Sequence, residues 1–495
     1  MAMASIAAIV IGVLPVRVHA GGPSAADYRK NDGSGAKYFN LRYDEDFRYF
    51  DEQPELRDSD FRNRLKNIHL GDEWRLDLGG EFRLRLDARS NQAFGFDRRT
   101  QSTKQNYRWL LHANVRHGDL FRVFVQGVFN HVEDQDSPFE PTQENRGDIQ
   151  QLFFDVRFPG EDVPLTLRVG RQELSYGANR WVGPLEWTSN RRRFDAVKLF
   201  YEHELWNIDA FYAKPVVVQR NQRDRWDEDV DFYGLFATYK GIPGHGLDFY
   251  FFALDHTGNV INPNGRSGDQ DVYTFGSRFW GHTRPTDGDG DRPQSTCPTC
   301  GSGGRGAVDY NTELAGQFGH SAGDRIQALS WNFDLGYTFD VPWKPRLGVG
   351  FDLTTGDDDP DDGTVGTFNQ LYSYNNVCIG LLDLVGSQNM YMTYVGLDAW
   401  PIENKIKTSL VFHSFWLFAE EDAFYNAGRG VNLRDPTARS GRELGHELDI
   451  AVEWIINPNS SVWTSYSYFW TDNYINNLSP GDDPQLFLVQ YQYRF

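Results

Sequence analysis

Basic side chains recur in this sequence at even spacings. Arg83 and Arg85 are two positions apart, and Arg108 and Arg116 lie in a second segment with the same phase. In an extended strand, residues two apart share a face, so this spacing gathers guanidinium groups on one surface. A guanidinium binds a carboxylate through two parallel hydrogen bonds, and rings of Arg or Lys select for anions in pores. The basic residues in this phase are Arg83, Arg85, Arg108, Arg116, Arg122, Lys198, Arg278, Arg346 and Arg494.

Acidic residues occupy the same face. They are Glu81, Asp87, Asp155, Asp195, Asp334, Asp352, Asp449 and Glu453. A basic residue beside a carboxylate can brace a wall as an ion pair without contacting any ligand. Two interpretations therefore stand together, an anion-selective lining and a set of structural ion pairs.

Two further clusters have the composition of a disulfide or a metal site. Cys297 and Cys300 are three positions apart, which predicts a local disulfide in a secreted chain. A zinc site would need a second cysteine pair, and Cys378 stands alone in the sequence. Weak Ca²⁺ candidates are Asp287, Asp289, Asp291, Asp357, Asp358 and Asp359, for which solvated loop tips are the simpler interpretation.

Signs of enzymatic chemistry are weak. The zinc-protease pattern H-E-x-x-H and the Walker A pattern are absent from the sequence. His413 and Ser414 are adjacent, so in a strand they point to opposite faces and cannot form a catalytic pair. The sequence predicts a protein that is not an enzyme and that uses no cofactor.

The elements that position these residues read as strands. Glu81 to Asp87 alternates strictly between polar and apolar residues, and the same pattern returns about every dozen positions. Since neighbouring strands lie ~4.8 Å apart, Arg83, Arg85 and Arg108 are expected to form one basic patch. The predicted strands number about 18 and lie near 81–87, 108–116, 121–132, 149–158, 164–175, 194–203, 206–214, 230–240, 247–256, 271–281, 308–319, 327–339, 346–355, 390–400, 405–418, 445–456, 461–472 and 485–495.

The connections alternate between short and long. Short ones lie near 117–120, 204–205, 401–404 and 457–460, and long ones near 91–105, 132–148, 176–193, 215–229, 257–270, 357–389, 419–444 and 473–484. Short periplasmic turns alternating with long extracellular loops are typical of outer-membrane barrels. The fold class predicted is therefore all-β, a single-chain transmembrane antiparallel β-barrel. Residues 282–307 break the alternation, because parity places this long segment on the periplasmic side. Either the strand count is off by one, or the barrel has an unusual periplasmic loop.

Composition agrees with a barrel. Mean hydropathy is -0.57 although 15% of the residues are aromatic, as expected when lipid-facing and water-facing residues alternate between aromatic girdles. The net charge of -20 makes a nucleic-acid partner unexpected. We predict a signal peptide at 1–20, with an apolar run at 6–14, a polar and mostly irregular N-terminal periplasmic segment at 21–72, and the barrel at 73–495.

Several segments resemble a known family, the alginate export proteins of the bacterial outer membrane. They are Leu70-Gly71-Asp72-Glu73-Trp74, Gly79-Gly80-Glu81-Phe82-Arg83-Leu84-Arg85, Leu167-Arg168-Val169-Gly170-Arg171-Gln172-Glu173-Leu174, Phe412-His413-Ser414-Phe415-Trp416 and Gly445-His446-Glu447-Leu448-Asp449. The resemblance covers most of 70–495. It implies a monomeric barrel that passes an anionic polysaccharide, alginate or a similar polyuronate, by passive diffusion through an Arg-lined lumen.

The resemblance also implies partners and site residues. The partners are outer-membrane lipid, the barrel-assembly machinery and a periplasmic export partner. Resemblance to other outer-membrane barrels implies that the assembly machinery recognises the terminal Phe495. The family motif favours Arg171 facing inward, with Glu173 on the same side, where the family carries another arginine. The family's long late periplasmic turn is represented here only by residues 457–460, so a plug at that turn is not expected. A general or small-solute porin of the same fold is the alternative, with a barrel enzyme third.

Overall fold

Eighteen long strands form the framework of the chain. The computed structural model describes residues 38–96, 101–133, 140–158, 164–219, 222–283 and 306–495. The strands are β1 (Trp74–Ser90), β2 (Gln101–His117), β3 (Phe121–Glu133), β4 (Asn145–Arg157), β5 (Leu165–Gln172), β6 (Phe194–Glu202), β7 (Trp206–Val217), β8 (Val230–Tyr239), β9 (His245–Ile261), β10 (Ser267–Thr283), β11 (Ala307–Ser321), β12 (Asp324–Thr338), β13 (Arg346–Thr354), β14 (Met390–Ile402), β15 (Ile406–Leu417), β16 (Glu443–Asn457), β17 (Ser460–Thr471) and β18 (Gln485–Arg494). The signal peptide predicted at 1–20, the disulfide predicted between Cys297 and Cys300, and the candidates Asp287, Asp289 and Asp291 lie outside the described residues.

The strands close into one antiparallel barrel, which confirms the predicted fold class. Each strand pairs with the next along the chain, and β1 pairs with β18 from Glu81 opposite Arg494 to Ser90 opposite Gln485. The backbones of Gly80 and Phe495 complete this seam with two hydrogen bonds. Closure removes every edge, so each strand satisfies its backbone polar groups within the wall, as a hydrocarbon environment requires.

The two faces of the wall differ in polarity. On β2, Trp109 and Leu111 point outward and are 43% and 55% exposed, whereas Arg108 and His112 point inward and are buried. Outward aromatic residues lie at both rims, among them Trp74 and Trp454 at the end where β1 begins and Tyr391 and Trp470 at the other end. This is the alternation predicted for strands that face lipid on one side. No helix among the described residues is long and apolar enough to cross a membrane.

The short and long connections fall on opposite ends of the barrel. Short turns such as 118–120, 203–205, 403–405 and 458–459 define what we call the turn end, and the long segments 173–193, 355–389, 418–442 and 472–484 define the loop end. The long loop predicted at 257–270 is wrong. Strand β9 ends at Ile261 and β10 begins at Ser267, which leaves only residues 262–266 as a turn. The pairing shifts register between His256 and Val260 and resumes with Val260 opposite Gly268.

The N-terminal segment lies inside the barrel at the turn end. Residues 38–73 form the short 3-10 helices Arg42–Asp44, Arg48–Asp51 and Asn63–Leu65, the helix Pro54–Asp58 and a strand, Ile68–His69, that pairs with β1. The ring of Tyr43 packs against the inward-facing rings of Phe124 and Phe153. The sequence predicted a mostly irregular segment at 21–72. Its described part, 38–72, contains short helices and packs against the inner wall of the barrel.

Three long segments fold into the lumen from the loop end. Residues 173–193 and 355–389 meet where Val182 bridges Tyr372, and Trp181 packs on Phe368 with ring centroids 4.8 Å apart. Segment 355–389 also contains the strand Thr364–Val365, parallel to β12, and the helix Asn375–Cys378. Segment 418–442 forms the hairpin Ala423–Tyr425 with Val431–Arg434, and the helix Asn473–Leu478 precedes β18. The protein's buried apolar clusters are built where these segments meet the wall.

Candidate permeation pathway

Arg83, Arg85 and Arg108 lie together on the inner wall, where a loop covers them. Arg83 and Arg108 stand opposite each other on β1 and β2. Arg83 donates to the carbonyl oxygens of Glu186 and Thr188 at 2.9 and 2.8 Å, and Arg108 donates to the same two oxygens at 3.1 and 3.0 Å. Arg85 donates to the carbonyl oxygen of Trp187. Segment 173–193 is thus held against the wall by all three arginines, whose side chains are at most 2% exposed.

Carboxylates neutralise this patch. Glu81 accepts hydrogen bonds from Arg108 at 2.5 Å and from Arg494 at 3.1 Å. Glu186 forms ion pairs with Arg108 and with Arg191, each at 2.6 Å. Although burial opposes ionisation, these two guanidinium groups lower the pKa of Glu186. The patch therefore combines buried charges of both signs.

Glu173 lies just beyond the end of β5, where its side chain is buried. It pairs with Arg191 at 2.6 Å and accepts a hydrogen bond from Gln150 at 2.8 Å. Burial raises its pKa in spite of Arg191. Arg191 belongs to a run of three arginines in the sequence. The alternation of residues in strands does not select this run, because it falls in a predicted loop.

Arg171 lies on the outer face, so its predicted inward orientation is wrong. The pairing of β4 with β5 has no register shift around Gly170, and Arg171 therefore stands opposite Leu152, which is exposed on the outer wall. Arg168 faces the lumen in its place. Arg171 binds Asp195 at 2.8 Å on the same outer face, so the inward prediction for Asp195 is wrong as well. Without a bulge, an odd spacing keeps two residues of a strand on opposite faces.

The other predicted basic residues face inward, and each has an acidic partner. Arg116 contacts Asp46 of the N-terminal segment at 3.2 Å, and Arg122 pairs with Asp155. The remaining pairs are Lys198 with Asp209 at 2.5 Å, Arg278 with Asp248 at 2.9 Å, Arg346 with Asp309 at 2.5 Å and Arg494 with Glu81 at 3.1 Å. The inward face of the wall therefore carries these basic residues, and each of them is also part of an ion pair.

The N-terminal segment supplies side chains that the sequence analysis did not select. Arg42 is buried and donates to the carbonyl oxygens of Gly80 and Phe495 at 2.9 and 3.0 Å. Arg122 donates to the carbonyl oxygen of Tyr43 at 2.7 Å. These bonds hold the segment against β1 and β3 and against Phe495, which follows the last strand. The aromatic cluster around Tyr43 was visible in the sequence, but nothing local showed that it packs inside the barrel.

A cavity of about 400 Å³ lies in the lumen beside the part of the wall that β15 to β18 form. Inward side chains of β15, β16, β17 and β18 form one side. The other side is formed by Asn40, Arg83, the loop residues Glu186 and Trp187, and residues of segment 374–381. The cavity reaches from Asn459 at the turn end to the covered basic patch. A smaller cavity of about 150 Å³ lies at the turn end between Tyr43 and the inward side chains of Arg116, Arg122 and Arg168.

The weak Ca²⁺ candidates Asp357, Asp358 and Asp359 do not form a binding site. Asp357 is buried, Asp358 is exposed, and Asp357 accepts a hydrogen bond from the backbone N–H of Asp359 at 3.2 Å. Burial raises the pKa of Asp357, which disfavours the charged form that would hold a cation. The carboxylates of Asp357 and Asp359 accept backbone hydrogen bonds within the turn. Within the residues that the structure describes, no group of three or more His, Cys, Asp or Glu side chains is placed to hold a metal ion.

A serine–histidine pair lies on the outer wall. Ser414 Oγ and His446 Nδ1 are 2.8 Å apart, but His446 Nε2 is 4.0 Å from Asp472, beyond hydrogen-bond distance. The spacing G-x-S-x-G of a hydrolase nucleophile elbow also occurs, around Ser321. Here it forms the tight turn between β11 and β12 and not the required strand–turn–helix. Neither feature assembles a nucleophile with an oriented base.

Comparisons with known proteins agree with the barrel. A family model described as "Alginate export" matches residues 74–488. The alginate production protein AlgE of Pseudomonas aeruginosa is 21% identical over 318 residues, which is 60% of this chain and 60% of that protein. The alignment thus spans less than two thirds of the curated relative.

Solved structures share the fold at low identity. OccD3 (OpdP) of Pseudomonas aeruginosa has a TM-score of 0.55 and 11% identity, covering 85% of this chain and 91% of that one. OpdQ of the same organism has a TM-score of 0.56 and 12% identity, covering 85% and 98%. At this identity the likeness concerns the fold alone.

Proposed function

The chain belongs to the alginate export family, and from this premise we propose that it is an outer-membrane pore that exports an anionic polysaccharide. The cargo is alginate or a similar polyuronate, and it moves by passive diffusion without covalent catalysis. The observation that carries the proposal is the family match across the whole barrel, together with basic side chains on the inner face of strands from β1 to β18.

The physical requirement for such a pore is compensation of lost hydration. Each sugar of a polyuronate carries one carboxylate, and in a narrow lumen that group gives up part of its water. Fixed guanidinium groups offset this cost, provided that binding stays weak and distributed over many sites. Arg83 and Arg494 both line the cavity, and both are already paired with protein acceptors. A passing carboxylate would therefore exchange with these acceptors, which keeps each contact weak.

A small-solute porin is the second candidate, and one observation favours it. The N-terminal segment and the inserted loops fill much of the lumen, and the cavity beside them has the volume of a pocket for one small molecule, in the range ~300–1,000 Å³. A polymer requires a continuous passage, so export implies that the segment or a loop is displaced during transport. A small solute needs a smaller displacement.

Ion selectivity in planar bilayers tests the proposed function. The exporter predicts anion selectivity and a current that short alginate oligosaccharides block, whereas uncharged oligosaccharides of equal length do not. The double variant Arg83→Gln with Arg108→Gln should lower the anion preference and, by releasing segment 173–193, raise the conductance. Arg171→Gln is the matched control, because this arginine lies on the outer face. Cation preference in the unaltered protein, or equal passage of neutral sugars, would favour the porin.

A further inference from the structure

The cavity beside β15 to β18 differs in chemistry from the basic patch. Its inner wall carries the indole of Trp463 from β17 and the amides of Gln490 and Gln492 from β18. Trp187 and Tyr374 face it from the inserted loops. Aromatic rings beside primary amides in a polar lumen are not needed for conducting ions, because hydrated ions are stabilised by charges and carbonyl oxygens.

The aromatic residues form a fixed corner. The ring centroids of Trp187 and Trp463 are 5.6 Å apart and their planes meet at 84°. Trp187 is held in place because the guanidinium of Arg85 lies 4.8 Å from its ring centroid and also binds its carbonyl oxygen. A rigid aromatic surface offers a large contact area at a low cost in conformational entropy. The C–H face of a pyranose ring is the kind of surface that packs on it.

The polar residues supply hydrogen bonds that the protein itself leaves unused. The Nε2 atom of Gln492 is buried at the cavity and has no hydrogen-bond partner within the part of the chain that the structure describes. A buried donor without an acceptor costs free energy, so water or a ligand must satisfy it. Gln490 stands two positions away on the same face of β18, so both amides are directed to the same space. Sugar hydroxyls can satisfy both the donors and the acceptors of such amides.

Charges of both signs border the same space. Arg494 lies two positions beyond Gln492 on the inner face of β18, and its side chain is 19% exposed. Asp449 and Glu186 line the cavity on other sides. A site with a cation at one end, amides beside it and carboxylates elsewhere is suited to a ligand with one carboxylate and several hydroxyl groups. A uronic acid has this composition, whereas a lipid tail or a simple anion does not.

We propose that this cavity is a saccharide subsite of the export pathway, in which one uronate ring packs against Trp463 and Trp187. Gln490 and Gln492 bind its hydroxyl groups, and its carboxylate is directed towards Arg494. The inference rests on the proposed export function, which it deepens by locating where a sugar of the polymer is held.

Single-channel recording with short alginate oligosaccharides tests the subsite in the full chain. Trp463→Ala should shorten the mean duration of each block about tenfold, as expected from the loss of about 1.4 kcal/mol of ring contact. Trp463→Phe keeps an aromatic ring and should retain most of the block if the Ala variant folds poorly. The double variant Gln490→Ala with Gln492→Ala should also shorten it. Trp454→Ala is the matched control, because Trp454 lies on the neighbouring strand β16 but is 51% exposed on the outer wall.

The outcomes separate this inference from the proposed function. An anion-selective pore that oligouronates block equally well in the Trp463→Ala and Trp454→Ala variants would overturn the subsite and leave the export function standing. A pore without anion selectivity that uncharged oligosaccharides block in a Trp463-dependent way would support the subsite and overturn the polyuronate cargo. Loss of block in the Trp463→Ala variant alone supports both.

Discussion

At the scale of single residues, the inner wall shows how one arginine can serve two purposes. Arg108 pairs with Glu81 and Glu186 and also donates to two carbonyl oxygens of segment 173–193. Buried charges of this kind are tolerated only when nearly every donor is satisfied. The same side chain therefore holds a loop against the wall and neutralises two carboxylates.

Glu81 is the residue on which this arrangement depends most. It is 1% exposed and binds both Arg108 and Arg494, which come from β2 and β18 on either side of β1. Glu81→Gln leaves two buried guanidinium groups with one carboxylate fewer. We expect the free energy of unfolding to fall by about 3 kcal/mol. Urea unfolding of the barrel in detergent micelles, followed by tryptophan fluorescence, would measure this loss.

Glu73 provides the control for Glu81. It lies next to β1, pairs with His117 at 2.8 Å and is 69% exposed. Because an exposed pair contributes little, Glu73→Gln should change the free energy of unfolding by less than about 1 kcal/mol. Equal effects of the two substitutions would show that the buried network does not stabilise the seam of the barrel.

At the scale of elements, the N-terminal segment is folded and packs within the lumen. It forms several short helices, and its docking depends on a few buried contacts, of which Lys66 is one. Lys66 donates to the carbonyl oxygen of Leu78 at 2.7 Å, and its ammonium lies 4.9 Å from the ring centroid of Phe47. Burial lowers the pKa of Lys66 from 10.5 to about 8. The nearby Glu45 raises this pKa, and Arg42 lowers it.

Docking of the segment should therefore depend on pH. When the segment is undocked, Lys66 keeps its proton up to about pH 10.5, whereas when docked it loses the proton near pH 8. Docking releases a proton in this window, so it is strengthened as the pH rises from about 8 to 10.5 and is constant below that range. The rate of proteolytic cleavage within the segment, corrected with an unfolded peptide, should fall over this window.

Lys66→Met removes the titrating group and tests its part in docking. The cleavage rate of this variant should no longer change with pH over the same window. The same pH dependence in the variant, or faster cleavage of the natural protein as the pH rises, would contradict this assignment of Lys66.

The positions of the strands could be predicted from the sequence, whereas the orientation of Arg171 could not. The strands were predictable because alternation is a local pattern that repeats in each strand. The inward faces followed from the same alternation, as for Arg83 and Arg278. The orientation predicted for Arg171 was wrong because it followed the family motif. Arg171 is three positions from Arg168, and without a register shift this odd spacing places the two side chains on opposite faces.

At the scale of the whole molecule, what could not be predicted is how the lumen is filled. Arg42 binds the carbonyl oxygen of Phe495 across 453 positions of sequence, and Arg83 binds Thr188 across 105. No local pattern encodes such contacts, because water could satisfy the guanidinium groups of Arg42 and Arg83 equally well. The partners of the arginines, and with them the balance between lining and bracing, become visible only when the segment and the loops are in place.

The filled lumen leads to a prediction about conductance. A chain that lacks residues 38–66 should form the same barrel, because the strand pairs of the wall do not include the deleted residues. Removing the segment opens the turn end beside β1 to β5, so single-channel conductance should rise and longer oligouronates should enter. Glu55→Ala, an exposed change in the helix Pro54–Asp58, is the control that should leave conductance unaltered. An unchanged conductance after the deletion would show that the narrowest part of the pathway lies at the inserted loops. Segment 173–193, held by Arg83, Arg85 and Arg108, would then be the element that controls passage.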